Sequence, residues 1–539
     1  MPVTDECEGE TKDTMKTLIT HPARILRMLS VVLAVLALGT ASATDIYVSS
    51  TGSVTAPYDA WSNAFTSVQA AFDYAVANGI SEIHLAGQTC AAAADGTKVY
   101  SLASAANLLI RGGYKADPTD PVLPGPRDPV LWPTALARSG TVSGRVLTLS
   151  GLTNVMFEGV TIRGGSYNPG GGIHVSTSGG GVTFDNCIVS NNYANDGQGG
   201  AFYITTSVVT LTNSLVTANK GGRGGDGTQA RGGAAYLAAS GVLNVYRSTI
   251  ANNTALSSRQ QPSYGGAVDL EATTAELNVW ESVITNNAAT TEWAGGTGRG
   301  GAIYNNGGKV RLRNVLLARN ATALTGTDAS SAIMSLGTAP YVLIENCTVA
   351  DNDAGKGGSV ALRRSTGVFA VTNSIMVNHV TDLFNFNLAH VGYSNIGDGQ
   401  NAGFLGCHSV DPQFVDTLFY HLKSTAGHYA GGAFSGGTWT TAAVSSPLID
   451  RGNPVSAFGL EPVPNGGRVN MGAYGNTGVA SKTPTVSATL PAVSNPGVGF
   501  RSHTVANLGA TLTDDGGQLP DVAFHYWESG TTATNTVPA

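Results

Sequence analysis

The chain has 539 residues and is slightly acidic and sparsely charged, with 29 Lys plus Arg against 36 Asp plus Glu. This length allows a large core or several domains, and the lack of any basic block argues against nucleic acid as the main partner. Glycine is abundant at 70 residues but lacks the period of three that collagen needs, so the composition favours many short strands joined by tight turns.

Residues 1–43 have the organisation of an export signal. HPARILRM carries positive charge, LSVVLAVLALG (29–39) is apolar, and ASA (41–43) supplies small residues for cleavage before Thr44. The apolar stretch is too short to cross a bilayer comfortably, and Met15 is an alternative start to Met1. We therefore expect a mature chain without a transmembrane segment that is secreted or held at a bacterial cell surface.

Residues 44–145 are predicted to form an N-terminal cap and the first coils of the fold. AFTSVQAAFDYAVANG (64–79) has helical spacing, which places a set of apolar side chains on one face: Phe65, Val68, Ala71, Phe72 and Ala75. The open end of a stack of strands must be covered. We expect this helix to cover the first coil.

Residues 146–380 contain a repeated unit of nearly constant length. A Gly-Gly step opens most units, and an asparagine closes each one 20 to 22 residues later except the last, which ends at His379. The steps begin at Gly170, Gly199, Gly232, Gly265, Gly300 and Gly357, with SSAI from Ser330 filling the missing place. Only the segment between units varies in length, which is typical of a solenoid whose insertions emerge along one edge.

Within each unit apolar and polar residues alternate, which is typical of a strand. In VTFDNCIVSNN, Val182 and Phe184 face one way while Thr183 and Asp185 face the other. One apolar column that recurs once per unit indicates identical strands stacked over each other. The sequence therefore predicts an all-β, right-handed parallel β-helix in which each unit is one coil.

Two columns of asparagine are interpreted as corners of the coils, because asparagine tolerates left-handed backbone and its amides can bond from coil to coil. The closing column contains Asn192, Asn219, Asn253, Asn287, Asn320 and Asn352. The second contains Asn186, Asn213, Asn314, Asn346 and Asn373, and is interrupted by Arg247 and Glu281.

The repeat weakens after residue 380. Residues 381–480 are predicted to form irregular C-terminal coils with a closing segment, 481–499 a linker, and 500–539 a short, partial β module. Four cysteines follow the signal, and Cys187 and Cys347 fall in one column over 20 Å apart at about 4.8 Å per coil. A disulfide framework is therefore not expected.

These motifs resemble known families. GGA followed by an apolar residue, alternating with FDNC, LTNS, LRNV and IENC, resembles the repeats of chlamydial polymorphic outer membrane proteins. More broadly, 45–380 resembles secreted bacterial right-handed β-helix proteins of the pectate-lyase-like superfamily, and SPLIDRGNPVSAFGLEPVPNGGRVNMGAYGNT (446–477) resembles the closing segment of many such surface proteins. The resemblance implies an adhesin, an autotransporter passenger or a polysaccharide-degrading enzyme.

Stacking brings outward residues of one column to about 4.8 Å from each other. The column after the glycine pairs reads His174, Tyr203, Tyr236, Asp269, Tyr304, Met334 and Ala361. The next strand gives Asp185, Thr212, Tyr246, Trp280, Arg313, Glu345 and Thr372. Aromatic rings repeated along a strip suit the C–H faces of sugars, although rings that simply pack against neighbouring rungs need no ligand.

Two sets of residues suit catalysis on a polysaccharide. Asp269 and Glu271 point to one side of a strand about 6.6 Å apart, as an acid–base pair requires, with Tyr236 and Tyr304 on the adjacent coils. A pectate-lyase-like lyase would use Arg311 or Arg313 as its base and need Ca²⁺ held by several carboxylates. Only Glu345 lies next to these arginines, so that template is poorly met.

The first hypothesis is therefore binding or display, with a polysaccharide or surface glycan as partner and no cofactor. The predicted binding residues are His174, Tyr203, Tyr236, Tyr246, Trp280, Tyr304, Arg311 and Arg313. The alternative is a glycoside hydrolase or lyase on the same fold, with Ca²⁺ as cofactor only if it is a lyase.

Overall fold

The computed structural model describes residues 45–484 apart from short gaps, followed by four further strands. The gaps are 121, 177–179, 196, 223–228, 259–260, 293–295, 323–329 and 353–359. The predicted signal at 1–43 lies outside the described residues.

The largest sheet has 20 strands, and most coils contribute two segments to it, separated by a bend. The first segments pair in parallel from coil to coil and form ladder 1. Its strands are Ile46–Val48, Glu82–Ala86, Leu109–Tyr114, Val155–Glu158, Gly181–Asp185, Val208–Thr212, Val242–Tyr246, Glu276–Thr285, Lys309–Ala318, Tyr341–Ala350, Val368–Thr372 and Val391–Gly392.

The second segments form ladder 2, also parallel. Its strands are Thr89–Ala93, Thr134–Ser139, Val160–Arg163, Ile188–Ser190, Leu215–Thr217, Thr249–Ala251, Ile375–Val377 and Asn395–Ile396, together with the second halves of the long strands 276–285, 309–318 and 341–350.

Three smaller parallel sheets complete the coils. Ladder 3 has ten strands: Lys98–Ala103, Arg145–Ser150, Ile173–Ser176, Phe202–Thr205, Ala235–Ala238, Val268–Leu270, Ile303–Asn306, Ile333–Leu336, Val360–Arg364 and Thr381–Phe384. Ladder 4 contains Tyr193–Ala194, Lys220–Gly221, Thr254–Ser257, Ala288–Thr291 and Ala321–Thr322. Ladder 5 contains Ala230–Arg231, Ser263–Tyr264 and Gly298–Arg299.

These stacked parallel strands confirm the predicted parallel β-helix. The inward positions inferred from the alternation are buried, including Val182 and Phe184, and equivalent residues stack in register from coil to coil. The apolar interior therefore runs continuously between the ladders. Burial of these side chains is the main favourable contribution to folding.

The predicted cap is α1, a helix at Val68–Asn78. It begins after Ser67, whose side chain accepts a hydrogen bond from the Ala70 N–H, and ends at Gly79 in left-handed backbone. Its buried face is the predicted one, with Phe72 fully enclosed and its ring 6.4 Å from that of Phe157. Phe65 is buried but precedes the helix.

The second asparagine column forms the bend between ladders 1 and 2. Every member has left-handed backbone, with φ from 48° to 54°, and so do the interrupting residues Arg247 and Glu281. In the closing column the left-handed residue is the one before the asparagine, for example Asn252 before Asn253 and Ala218 before Asn219. The expectation that the closing asparagine itself adopts this backbone was therefore wrong.

The closing asparagines instead form a buried ladder of hydrogen bonds. Asn253 Nδ2 donates to Asn287 Oδ1 (3.0 Å) and to the carbonyl of Val216 (2.9 Å), while its own Oδ1 accepts from the backbone N–H and Nδ2 of Asn219. The ladder ends where Asn352 meets His379 Nε2 at 3.3 Å. The left-handed residue turns the chain so that the next side chain points inward.

The closing segment packs against the outer face of ladder 2. Leu448, Met471 and Tyr474 share an apolar cluster with Leu316 and Ile375. Corner asparagines fix the segment, because Asn314 Nδ2 donates to the carbonyls of Ala473 (2.9 Å) and Gly475 (2.7 Å).

The remaining elements are a 3₁₀ turn at Leu388–His390 and antiparallel strand pairs. These pairs are His428–Ala430 with Thr438–Thr440, Ala492–Arg501 with Ala506–Asp514, and Ala523–Tyr526 with Asn535–Pro538. The strand that starts at Ala492 begins inside the predicted linker. All four described cysteines are free thiols.

Candidate functional site

The outer face of ladder 1 carries the predicted aromatic and charged column. The register pairs Tyr246 with Trp280, Trp280 with Arg313, and Arg313 with Glu345, as expected from the repeat. Parallel strands in register place these side chains side by side on one surface. Tyr246 and Trp280 are partly exposed and Arg313 is exposed.

Tyr246 and Trp280 stack on each other, with ring centroids 4.7 Å apart and planes within 5°. Because aromatic surfaces touch at about 3.5 Å, the two rings are displaced sideways by about 3 Å. Because of this offset the two rings overlap only partly, and each ring keeps part of one face free of contact with the other ring. Both rings rise from neighbouring, directly paired strands of ladder 1.

Basic side chains flank this stack. Arg313 lies 3.7 Å from Glu345, and Arg311 lies 3.1 Å from both Glu276 Oε2 and Asn278 Oδ1. The Arg311 guanidinium also lies 5.7 Å from the ring centre of Tyr341. Both arginines keep more than a third of their side-chain surface exposed, so they retain N–H donors for a ligand.

The two arginines that a lyase would use as its base both have carboxylate partners. Arg311 and Arg313 are each paired with a carboxylate, whereas a catalytic base must be free to take a proton. In the described part of the chain, the group of three side chains suited to a metal ion is Asp45, Glu82 and His84 in the first coils. Glu82 and His84 stand in the same columns as Arg311 and Arg313 but seven coils away, so this group does not adjoin the arginines.

The outer column of ladder 3 follows the predicted order for most of its length. His174 pairs with Tyr203, Tyr203 with Tyr236, Tyr236 with Asp269, Asp269 with Tyr304, and Tyr304 with Met334. The last member is Arg363 rather than Ala361, because Ile333 pairs with Leu362. Ala361 points into the core and is fully buried.

The middle of this column is covered, which corrects the expectation of an open strip. Tyr236, Asp269, Tyr304 and Met334 are all at most 5% exposed. Tyr264 of ladder 5 lies over them, with its ring centre 4.6 Å from that of Tyr304. Of the predicted strip, His174 and Tyr203 remain partly accessible.

Asp269 and Glu271 are both bound by Arg231 of ladder 5. The Arg231 guanidinium contacts both carboxylate oxygens of Asp269, at 2.7 and 3.3 Å, and also bonds to Glu271 Oε2. It lies between the rings of Tyr236 and Tyr264, 5.2 and 5.0 Å from their centres. Burial raises the pKa of Asp269 to about 7, and Arg231 opposes this rise.

This geometry makes Asp269 a structural anchor. The side chain is fully buried, so a polysaccharide could reach it only after Arg231 and Tyr264 had moved. Arg231 is not among the predicted site residues, although the sequence carries a signal for it. Arg231, Tyr264 and Arg299 each stand directly before a glycine pair, and this recurrence marks the strands of ladder 5.

No family model, curated protein or solved structure significantly matches this chain. Among the described helices, none combines the length and apolar character needed to span a membrane. The fold and the exposed surfaces together define a parallel β-helix protein with an open aromatic and basic face on ladder 1.

Proposed function

We propose that this protein is exported, resides outside the cell or on its surface, and works by binding a polysaccharide or surface glycan on the outer face of ladder 1. The observation that carries the proposal is the offset Tyr246–Trp280 stack beside Arg311 and Arg313 on an uncovered sheet. Sugar-binding surfaces combine such aromatic faces with a few polar groups that fix orientation.

The polar groups around the stack suit hydroxyl groups. Asn278 Nδ2 donates to Asn244 Oδ1 at 3.0 Å on the two coils that carry the aromatic rings. Asn244 is partly exposed, so its amide can donate to a ligand while its oxygen stays occupied. Amides and arginines thus supply hydrogen-bond donors along the edge of the aromatic pair.

The glycine-pair repeats and the closing segment support the cellular setting of this proposal. They resemble those of polymorphic outer membrane proteins and of secreted pectate-lyase-like β-helices, many of which act at surfaces. Fold alone does not decide function, so the surface residues carry the argument.

A polysaccharide-degrading enzyme is the competing function. A hydrolase would use Asp269 and Glu271, and the complete burial of Asp269 under Arg231 disfavours contact with a polymer. A lyase would use Arg311 or Arg313, which are both paired with carboxylates. Depolymerisation activity is therefore an outcome that the experiment must be able to detect.

The test is a binding screen on neutral, uronate-containing and sulfated polysaccharides, with quantitative titration of any hit. We expect Trp280→Ala to weaken binding at least tenfold, about 1.4 kcal/mol, because the aromatic face is lost. Trp439→Ala is the matched control, since Trp439 is exposed on the antiparallel pair near the closing segment.

Two results would overturn the proposal. One is equal binding by wild type and Trp280→Ala on every polysaccharide that binds, or no binding at all. The other is release of reducing or unsaturated ends, with or without Ca²⁺, that Asp269→Asn abolishes, because this would establish the enzyme instead.

A further inference from the structure

A buried arginine lies near the N-terminal end of ladder 3. Arg145 begins the strand Arg145–Ser150 and is 6% exposed. Its guanidinium lies over the ring of Tyr167, 4.7 Å from the centre, and its Nη1 is 3.0 Å from His174 Nδ1. His174 pairs directly with Thr148 in the same outer column.

The charge of Arg145 has no counter-charge. No carboxylate of the described residues pairs with it, whereas Arg111, Arg127 and Arg231, which are also at least partly buried, each bind one. Burial lowers the pKa of Arg145, and burial together with the arginine charge lowers the pKa of His174 to about 4. At neutral pH the pair therefore carries one net positive charge.

Three polar atoms in this group have no hydrogen-bond partner although each is buried. They are Arg145 Nε, His174 Nε2 and Thr148 Oγ1. Since His174 Nδ1 accepts from Arg145, the imidazole proton must sit on Nε2, which makes Nε2 a donor. Each unpaired donor costs about 1–3 kcal/mol, and more where the group is charged.

Donors and a net positive charge together select for a negatively charged acceptor. A cation would be repelled, and a neutral hydroxyl would leave the arginine charge uncompensated. A carboxylate or sulfate group offers several acceptor oxygens and the opposite charge, which is the usual partner of a guanidinium.

We propose that Arg145, His174 and Thr148 form an oxyanion-binding site, which holds a carboxylate or sulfate group of a glycan. Because the donor atoms are buried and the Tyr167 ring lies against the guanidinium, the anion enters only when Tyr167 moves aside. Tyr203 stands beside the site, with its ring edge-on to His174 at 5.1 Å and partly exposed, so the sugar that bears the anion can contact this ring.

The claim that a glycan carries this anion rests on the proposed function. The claim that the site binds an anion does not. This site lies on ladder 3 and is separate from the Trp280 face.

The experiment measures binding of small anions to the full chain by calorimetry at constant ionic strength. The probes are inorganic sulfate, glucuronate and galactose 6-sulfate, with chloride and galactose as references. We expect at least one anionic probe to bind saturably, and Arg145→Met to weaken it at least tenfold. His174→Phe, which keeps the ring shape but removes the Nε2 donor, should weaken it by a smaller factor.

The controls separate this proposal from the previous one. Arg313→Met and Trp280→Ala should leave binding of the small anions unchanged, because both residues lie on ladder 1. Tighter binding of the sulfated sugar or glucuronate than of inorganic sulfate identifies a glycan anion, and the reverse order identifies a free anion. Absence of saturable anion binding, or equal binding by Arg145→Met, would mean that these atoms are hydrated only, and the proposal would be wrong.

Discussion

At the scale of single residues, the closing asparagines combine three hydrogen-bonding roles in one short side-chain amide. From Asn219 to Asn320, each amide donates to a carbonyl of the preceding coil and to the next asparagine, and its oxygen accepts from two donors of the coil before, as at Asn253. The geometry requires an amide, because an alcohol is too short and a carboxylate lacks the donor.

We expect Asn253→Ala to lower the free energy of unfolding by about 2–4 kcal/mol, because buried partners on two coils lose their hydrogen bonds. The change is measurable by urea unfolding. Asn252→Ala is the control and should cost about 1 kcal/mol or less, since Ala218 already occupies the equivalent left-handed position. Equal losses for the two variants would contradict the ladder interpretation.

A second residue-scale prediction concerns the Arg231–Asp269 pair. Without Arg231, the buried Asp269 must either take up a proton or hold an uncompensated charge, and Glu271 also loses its partner, so Arg231→Met should destabilise the protein by about 3–5 kcal/mol. The double variant Arg231→Met, Asp269→Leu should recover much of that loss, as followed by thermal unfolding. If Arg231→Met leaves the unfolding temperature unchanged, the prediction is wrong, and Asp269 becomes neutral in the variant at little cost.

At the scale of elements, the closing segment is held by polar groups as much as by apolar contact. Glu461 Oε1 accepts from the backbone N–H groups of Asn470 and Asn476, both at 2.8 Å, while its Oε2 is buried without a partner. Burial raises the pKa of Glu461 to about 7, and the two N–H donors oppose that rise.

This burial predicts a pH dependence whose sign follows from the raised pKa. The carboxyl of Glu461 loses its proton near pH 4.5 in the unfolded chain and near pH 7 in the folded protein. Its contribution to the free energy of unfolding is therefore fully present below pH 4.5 and is lost as the pH rises to 7. The loss amounts to about 3 kcal/mol. Urea unfolding of wild type and Glu461→Gln across this range should show that the stability of wild type relative to the variant falls as the pH rises.

The comparison must be between these two proteins, because another group acts in the opposite direction. Burial lowers the pKa of His421 to about 4, so its contribution is lost as pH falls below about 6.5. That term is common to wild type and variant and cancels in the difference. Parallel profiles would show that Glu461 does not titrate with folding.

At the scale of the whole molecule, each coil contacts mainly the coils before and after it. Stability in such a stack is close to a sum of local terms, and distant parts unfold with limited coupling. We expect single-tryptophan variants that retain Trp61, Trp280 or Trp439 to report different urea midpoints. Adding Asn253→Ala should shift the Trp280 midpoint more than the Trp61 midpoint, and a common shift would indicate one cooperative unit.

Sequence periodicity was sufficient to predict the stacked columns of ladder 1. Tyr246, Trp280, Arg313 and Glu345 stand in the predicted order, because the distance from glycine pair to closing residue is nearly constant and alternation fixes which side each residue faces. The prediction that Ala361 follows Met334 in the outer column of ladder 3 was wrong, because Met334 pairs with Arg363. The spacing from the glycine pair alone does not give the register of this last coil.

The candidate site on ladder 3 was only partly predictable. The column from His174 to Met334 was correct, but its burial depends on Arg231 and Tyr264, which enter from the variable side of the coil. Segments of variable length have no repeat period, so their position relative to the columns cannot be predicted from the sequence. Serine provides another missed feature: Ser214 N donates to Ser248 Oγ and Ser248 N to Ser282 Oγ, directly after the corner residues.

The sequence by itself determined the parallel β-helix, its helical cap and the order of residues along each column. These follow from local rules, since alternation, turn residues and a fixed unit length act over one coil at a time. Only the tertiary structure decided which columns meet solvent and which charges are paired. Exposure and pairing depend on what lies above a surface, as the covered Asp269 and the uncompensated Arg145 both demonstrate.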